Sequence, residues 1–277
     1  MNKNYKWTGE RLETHINNET TIEHLHRYTI AFQYITDKVV LDIASGEGYG
    51  SNLLSQSAAK VYGVDIDITA IQNAKEKYKK SNLNFIVGSA DEIPLPDNSV
   101  DIVISFETIE HHDKHEEMLT EIKRVLKNDG ILIMSSPDKL QYSDKPKYKN
   151  PYHKKELYKE EFESLIGKYF KELQCYDQKF FTGSLINSVD NSGDISFFNG
   201  NYDELKNVEF EPVYNIIIAC DHKLQQIGSS IFFSADYINQ KQQEIIKIYT
   251  NSMTWKFGRF FINPVNYIKK LIFGSRN

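Results

Sequence analysis

The sequence predicts an α/β fold in which a doubly wound, Rossmann-like sheet of seven strands carries helices on both faces. From residue 38 onward, short β-branched apolar runs alternate with helical patterns. Strands become nearly continuous apolar runs when helices cover both faces of a parallel sheet. The chain has 277 residues, 40% of them apolar. It is therefore long enough to bury one large core or two small ones.

Five of the predicted strands lie between residues 38 and 135, and the other two lie in the second half of the chain. The predicted strands are 38–43, 61–65, 84–87, 101–105, 131–135, 173–180 and 213–219. The predicted helices are 49–56, 68–79, 114–126 and 159–170. Right-handed crossovers between successive parallel strands give the doubly wound arrangement.

The pattern changes beyond Pro137. Residues 138–151 are polar and predict a long loop, and a Gly/Asn/Ser-rich insertion spans 182–204. Long loops in compact domains are often lids or substrate-binding elements. The sequence therefore predicts an N-terminal segment (1–37), a main domain (38–220) with substrate-binding elements at 138–210, and a C-terminal helical tail (221–277).

Charge and composition exclude several classes of protein. The net charge of -5 gives no reason to expect a nucleic acid partner. The N-terminus lacks the apolar stretch of a secretory signal, and no run approaches the ~18–20 apolar residues that span a bilayer. Cys175 and Cys220 lie in apolar stretches and predict buried thiols, since two cysteines are too few for a disulfide framework. These observations favour a cytoplasmic protein.

The C-terminal tail is basic and aromatic, with no acidic residue after Glu244. Such a segment can make peripheral contact with an anionic membrane surface. Alternatively, it forms a helix packed on its own domain, or on a second subunit in a homodimer. Gly258 and Pro264 interrupt the helical pattern and favour packing over membrane contact.

The most informative segment is DIASGEGYG, in which Asp42, Ala44, Gly46 and Gly48 follow one another at alternate positions. A strand there runs into a tight turn, and a helix begins at once. Glycine permits positive φ and lets a ligand approach the backbone. The helix N-terminus adds free N–H groups suited to a carboxylate or phosphate. The turn therefore predicts a cofactor site.

Two carboxylates at later strand ends complete the predicted ligand. Asp65 ends the second strand, where it can accept both ribose hydroxyls, and Asp91 follows the third strand, where it can accept an exocyclic amine. Together they predict an adenosine group, carried either by a nicotinamide dinucleotide or by S-adenosylmethionine. The dinucleotide motif G-x-G-x-x-G is absent, and Glu47 within the loop would repel a pyrophosphate but tolerate a sulfonium. The sequence therefore favours S-adenosylmethionine.

Residues 38–137 resemble the core of class I S-adenosylmethionine-dependent methyltransferases. The matching pieces are VLDIASGEGYG, VDID, GSADEIPLPDNSVDIVIS and EIKRVLKNDGILIMSSP, in this order. The resemblance implies S-adenosyl-L-methionine as the cofactor. It places Gly46 and Gly48 beside the methionine part, Asp65 on the ribose and Ile66 against the adenine.

The same resemblance implies that Ala90 and Asp91 meet the adenine edge and that Phe106 lines the methionine side. The segments TGER (8–11) and EHLHRY (23–28) resemble a subgroup of these enzymes associated with bacterial surface-glycan biosynthesis. In that subgroup the N-terminal segment tends to cover the cofactor. Arg11 or Arg27 is then expected to bind the cofactor's carboxylate in bidentate fashion. A solvated arginine is the alternative.

The candidate catalytic residues are His111, His153 and Glu107. His111 follows the fourth strand at the carboxyl edge of the sheet, and histidine can accept a proton near neutral pH. His153, in NPYH, lies between the long loop and the next helix, and Glu107 could orient either histidine or bind a sugar hydroxyl. His111, His112 and His115 with Glu107 do not have the spacing of paired ligands on one helix face. No metal is predicted.

The features that bear on the methyl acceptor are less specific than those that bear on the cofactor. Residues 138–210 are rich in tyrosine, phenylalanine and polar side chains, which suit sugars and many other small molecules. The subgroup resemblance favours O-methylation of a sugar or glycan building block, on a hydroxyl or phosphate-type oxygen, for surface polysaccharide. Two alternatives stay open. One is a methyltransferase for another small metabolite, such as a quinone or amine, and the other is a non-catalytic nucleotide-binding partner of a glycan-assembly complex.

Overall fold

The computed structural model describes residues 12–185 and 195–257. The chain divides into two compact units, residues 1–230 and 231–277. Arg11 and the tail beyond residue 257 lie outside the described residues. The structure therefore describes only the first part of the predicted basic tail.

The first unit is built on a seven-stranded sheet in the order β3-β2-β1-β4-β5-β9-β6. Its strands are β1 (Val39–Ile43), β2 (Lys60–Asp65), β3 (Leu83–Val87), β4 (Val100–Phe106), β5 (Leu126–Pro137), β6 (Glu172–Gln178) and β9 (Tyr214–Cys220). The first five run parallel, and β9 is antiparallel to both of its neighbours. The predicted Rossmann-like sheet is confirmed. Because β9 runs antiparallel to β5, its first residues lie at the carboxyl edge of β4 and β5.

Helices connect the strands: α1 (Glu19–Ala31), α2 (Tyr49–Leu54), α3 (Ile68–Lys77), α4 (His115–Val125) and α5 (Lys159–Gly167). Local capping explains where two of them begin. Asn18 caps α1, where its Oδ1 accepts a hydrogen bond from the Thr21 backbone N–H at 3.0 Å and Thr21 Oγ1 accepts one in return. Asp67 caps α3 by accepting from the backbone N–H of Thr69 at 2.7 Å. α3 therefore starts directly after the second strand, as the sequence predicts.

Apolar side chains cover both faces of the sheet. One cluster contains residues of α4 and α5, such as Met118 and Phe162, against Leu41, Val103 and Leu132. The other lies under α1 and contains Tyr28, Ile35, Val40, Ile104 and Ile218. This two-sided core is the physical reason why the strands appear in the sequence as continuous apolar runs.

The structure adds local features that the sequence pattern did not predict. A short two-stranded hairpin, β7 (Phe197–Gly200) with β8 (Leu205–Val208), occupies part of the insertion. A single π-helical turn, Leu140–Asp144, lies within the predicted long loop. The prediction for Cys175 is wrong: its thiol is exposed because the residue lies on the edge strand β6, whereas Cys220 is buried on β9.

The second unit contains α6 (Ala235–Asn251). Among the described residues, no helix is long and apolar enough to cross a membrane.

Candidate active site

The loop after β1 has the backbone that its glycines predict. Ala44, Gly46 and Gly48 all have positive φ, at 58°, 54° and 85°. A Cβ added to Gly46 would meet no atom of the described residues within 4 Å, whereas one added to Gly48 would lie 2.6 Å from the Phe85 ring. Gly46 therefore borders open space that a ligand can enter, and Gly48 is required by packing as well as by its φ.

Asp65 at the end of β2 is joined to this loop. Its Oδ2 accepts a hydrogen bond from the Gly46 backbone N–H at 2.8 Å, and its Oδ1 accepts from the Asp67 N–H at 2.9 Å. Ile66 beside it is 70% exposed. An exposed isoleucine next to a buried carboxylate suits a ligand with a flat apolar ring and an adjacent diol, and these residues therefore fit an adenosine group.

Asp42 lies deep beneath the loop. It is 2% exposed and accepts hydrogen bonds from Ser51 Oγ at 2.6 Å and Tyr28 Oη at 3.4 Å. Burial raises the pKa of this carboxyl to about 7. These contacts join β1 to α1 and α2 and support the loop from below, and the contact of Asp42 with the cofactor stays a prediction.

Glu47 has a different role from the one predicted. Its carboxylate accepts from the Thr14 backbone N–H at 2.7 Å and pairs with the Lys77 ammonium. Because Lys77 offsets its charge, Glu47 is a weaker argument against a pyrophosphate than the sequence suggested. The contact also holds Thr14 against the glycine loop, and the covering of the cofactor by the N-terminal segment stays a prediction.

Asp91 is already paired. It accepts hydrogen bonds from the Lys114 ammonium and Ser89 Oγ, and these lower its pKa to about 2. Its neighbour Ala90 packs against the apolar core. Both residues lie after β3, as predicted, and their contact with adenine stays a prediction.

Arg27 is 1% exposed and makes unusual contacts for a buried cation. Its Nε donates to Gln178 Oε1 at 2.7 Å, its guanidinium lies 4.3 Å from the centre of the Tyr214 ring, and Nη1 lies 3.5 Å from Glu107 Oε1. Within the described residues, neither Nη1 nor Nη2 has a hydrogen-bond partner. The alternative of a solvated Arg27 is therefore wrong. The two donors fit a planar anion such as a carboxylate.

Glu107 directly follows β4 and has a φ of 51°, an uncommon backbone conformation for this residue. Its Oε1 accepts from Ser135 Oγ at 2.6 Å, and it faces Arg27. These contacts do not support the predicted role of orienting a catalytic histidine. The preceding Phe106 is 8% exposed and packs edge-on against Tyr28 at 5.1 Å, so most of its ring is in the core.

The structure brings His111 and His153 together. Their rings are 5.1 Å apart at an interplanar angle of 88°, although 42 positions separate them in the chain. His111 Nδ1 donates to the Tyr152 carbonyl at 3.3 Å, and His153 Nδ1 donates to Glu156 Oε1 at 2.6 Å. The group that orients His153 is thus Glu156, where the sequence suggested Glu107.

The other two histidines of the predicted set point elsewhere. His112 contacts Met118 Sδ at 3.2 Å, and His115 Nε2 contacts the His112 carbonyl at 2.8 Å. Within the described residues, the group able to hold a metal ion is instead Glu110, His111 and His153. Sequence reasoning missed Glu110, although its place beside His111 was a usable signal, and it missed Tyr28, Gln178 and Tyr214.

Comparisons with known proteins bear on the domain that carries these residues. Residues 41–134 match the family model described as a methyltransferase domain. A probable S-adenosylmethionine-dependent methyltransferase of Mycobacterium tuberculosis is 34% identical over 57% of this chain and 58% of its own length. A fatty-acid O-methyltransferase of Mycolicibacterium smegmatis is 27% identical over 47% of this chain and 48% of its own length. The chain therefore matches only about half of each relative.

The fold agrees as well. The crystal structure of a methyltransferase from Archaeoglobus fulgidus superposes with a TM-score of 0.53 at 23% identity, covering 73% of this chain and 93% of that one. The solved structure shows that the fold is shared, and the family match shows that residues 41–134 form a methyltransferase domain, for which S-adenosyl-L-methionine is the expected methyl donor.

Proposed function

We propose that the protein transfers a methyl group from S-adenosyl-L-methionine to an oxygen atom of its acceptor, a hydroxyl of a sugar or glycan building block. One observation carries the proposal. The glycine loop that follows β1 and the His111–His153 pair beyond β4 lie at the same carboxyl edge of the sheet. Ligands of open α/β sheets bind at this edge.

Four residues would hold the cofactor. Gly46 provides the open approach to the backbone, Asp65 and Ile66 bind the ribose and the adenine, and Arg27 binds the carboxylate through Nη1 and Nη2, which make no hydrogen bond within the described residues. Bound there, the cofactor supplies an electrophilic methyl group for in-line displacement. The chain's contribution is then to align the acceptor and exclude water.

The acceptor side is polar and aromatic. His111 and His153 are the groups there that can activate a hydroxyl, by taking its proton directly or through a bound cation. Tyr152 is 43% exposed and Tyr148 50%, and tyrosine faces suit the apolar faces of a sugar ring. These features favour a polyhydroxylated acceptor.

A lipid acceptor is the second candidate. It is favoured by a specific finding, since one relative is a fatty-acid O-methyltransferase. In that case Arg27 would bind an acceptor carboxylate in place of the cofactor's. The two candidates share the glycine loop, Asp65 and Ile66, and they differ in what Arg27 binds and in the chemistry on the histidine side.

Ligand binding tests the shared premise. S-adenosylhomocysteine at 100 times its dissociation constant is expected to add about 2.7 kcal/mol to the free energy of unfolding, seen as a higher melting temperature. A nicotinamide dinucleotide serves as the matched control and is expected to give no shift. The reverse pattern would exclude the methyltransferase proposal.

A second experiment identifies the acceptor. The full chain is incubated with methyl-labelled cofactor and four panels: nucleotide sugars and glycans, fatty acids, quinones, and amines. Label in the sugar panel that falls in His111→Ala, while S-adenosylhomocysteine still binds, supports the proposal. Label confined to fatty acids selects the lipid candidate, and label confined to quinones or amines contradicts both.

A further inference from the structure

We propose that Glu110, His111 and His153 form a binding site for a divalent first-row transition-metal ion, which positions the acceptor oxygen. The acceptor role rests on the proposed function, whereas the metal site stands on the geometry of the three side chains. One ligand atom from each residue lies within 4.8 Å of the other two. Glu110 Oε1 and His111 Nε2 are 4.0 Å apart. Bonds of about 2.0–2.2 Å to a shared ion require only small side-chain rotations to draw these atoms together.

The two imidazoles are held in the tautomer that a metal ligand needs. His111 donates its Nδ1–H to the Tyr152 carbonyl, and His153 donates its Nδ1–H to the Glu156 carboxylate. In the neutral ring this hydrogen bond leaves Nε2 as the atom that can bind a cation. Metal-binding histidines almost always donate their other ring N–H to a carbonyl or carboxylate in this way. Both histidines satisfy that requirement.

The backbone fixes the two segments relative to each other. The Glu110 carbonyl accepts hydrogen bonds from the backbone N–H groups of Lys154 and Lys155, at 2.8 and 3.1 Å. The segment that follows β4 is thereby bonded to the segment that carries His153. Tyr142 also stacks on the His153 ring at 5.2 Å. The three ligands are therefore preorganised, and little ordering remains for metal binding to induce.

Burial supports a cation at this position. Glu110 is 1% exposed, and a buried carboxylate is stabilised by a positive charge beside it. The side chain of His111 remains 32% exposed, so the cluster opens to solvent on one side. An ion held there keeps coordination positions for ligands from outside the protein. Adjacent hydroxyls of a sugar would fit those positions.

The donor set indicates the class of metal. Two imidazoles and one carboxylate suit manganese, iron, cobalt, nickel or zinc, whereas calcium and magnesium prefer all-oxygen sites. Two histidines with one carboxylate form a set that leaves positions open. An ion there would act as a Lewis acid on the acceptor hydroxyl and lower its pKa. The histidines would then act through the metal, and the hydroxyl proton would leave to solvent water on the exposed side of His111.

Cobalt(II) is the probe for the test, because its visible absorption reports imidazole ligation. The untagged full chain is stripped with a chelator and titrated with Co²⁺ in the absence of cofactor and acceptor, with stoichiometry from calorimetry. We expect one Co²⁺ per chain. We expect at least about tenfold weaker binding in His111→Ala, His153→Ala and Glu110→Gln, because even removing an outer partner of a ligand weakens binding about 10–100-fold.

Two further variants make the result decisive. His222→Ala changes an exposed histidine outside the cluster and is expected to bind Co²⁺ as the wild type does. Glu156→Leu removes the acceptor of the His153 Nδ1–H and is expected to weaken binding about 10–100-fold, which covers the case that His153→Ala does not fold. No stoichiometric Co²⁺ in the wild type, or unchanged affinity in either His111→Ala or Glu156→Leu, overturns the metal site. Because the readout needs no turnover, a failed methyl transfer leaves this result standing, and an active protein without metal overturns this inference alone.

Discussion

Two glycines of the same loop are expected to respond differently to an added methyl group. An alanine at a left-handed φ costs about 1–2 kcal/mol relative to an ordinary conformation, and both Gly46→Ala and Gly48→Ala incur this cost. At Gly46 the new Cβ meets nothing within 4 Å in the part of the chain that the structure describes. The free energy of unfolding should therefore fall by about 1–2 kcal/mol and no further.

At Gly48 the same change adds overpacking. Its Cβ would lie 2.6 Å from two ring carbons of Phe85, which is 4% exposed, and 3.0 Å from the Ala74 Cβ. Overpacking in a filled core costs about 1–3 kcal/mol. Added to the backbone strain, the expected loss of stability is about 2–5 kcal/mol.

Cofactor affinity should follow the opposite order. The Cβ at position 46 enters the space that the ligand approaches, so Gly46→Ala should bind S-adenosylhomocysteine at least about tenfold more weakly, or about 1.4 kcal/mol. Urea unfolding gives the stability and calorimetry gives the affinity of each folded variant. Wild-type affinity in Gly46→Ala would refute the cofactor site, and equal stability losses in the two variants would refute the packing argument.

Three other predictions concern single side chains. Asp42→Asn removes a carboxyl whose pKa is raised from 3.8 to about 7. The folded state therefore binds more protons than the unfolded state between these values, and stability is lost as pH rises through about 7. Relative to the variant, the free energy of unfolding of the wild type should fall by about 4 kcal/mol between pH 3 and pH 8, as measured by denaturant titration at each pH. Ile66→Ser should change stability by less than about 0.5 kcal/mol and weaken S-adenosylhomocysteine binding about tenfold in calorimetry. Arg27→Met should lower the free energy of unfolding by about 3–5 kcal/mol, because Glu107 loses its buried partner. The double variant with Glu107→Gln should recover part of that loss in urea unfolding.

Each of these has a result that would contradict it. Parallel stability curves for Asp42→Asn and wild type would mean that Asp42 does not titrate with a raised pKa. A destabilised Ile66→Ser with unchanged affinity would assign Ile66 to the core. If the Arg27 and Glu107 changes add independently, the two side chains are not coupled.

The sheet was predictable from sequence because each parallel strand is a local pattern with one physical cause. Helices on both faces make β1 to β5 continuous apolar runs, and the loop after β1 has glycines where φ is positive. The hairpin β7–β8 was missed because its strands are four residues long and mostly exposed. The alternation of apolar and polar residues that marks a half-buried strand is therefore weak in β7 and β8.

The site was predicted less completely, because its contacts join distant parts of the chain. His111 and His153 were each identified from local context, but nothing local indicates that their rings meet. Arg27 was predicted as a ligand-binding residue, whereas its contacts with Gln178 and Tyr214 depend on how β6 and β9 pair. Partnerships of this kind come from tertiary structure and are not encoded in residue spacing.

The strand order has a consequence for synthesis of the chain on the ribosome. In the sheet, β6 pairs with β9 alone, and β9 separates it from β5. β6 therefore emerges from the ribosome before β9. At a translation rate of about 5–20 residues per second, β6 remains without its partner strand for a few seconds. During this interval β5 and β6 both present open edges, which are sites of aggregation. Strong expression at low temperature, where translation slows, should lengthen this exposed interval and increase the demand for chaperones.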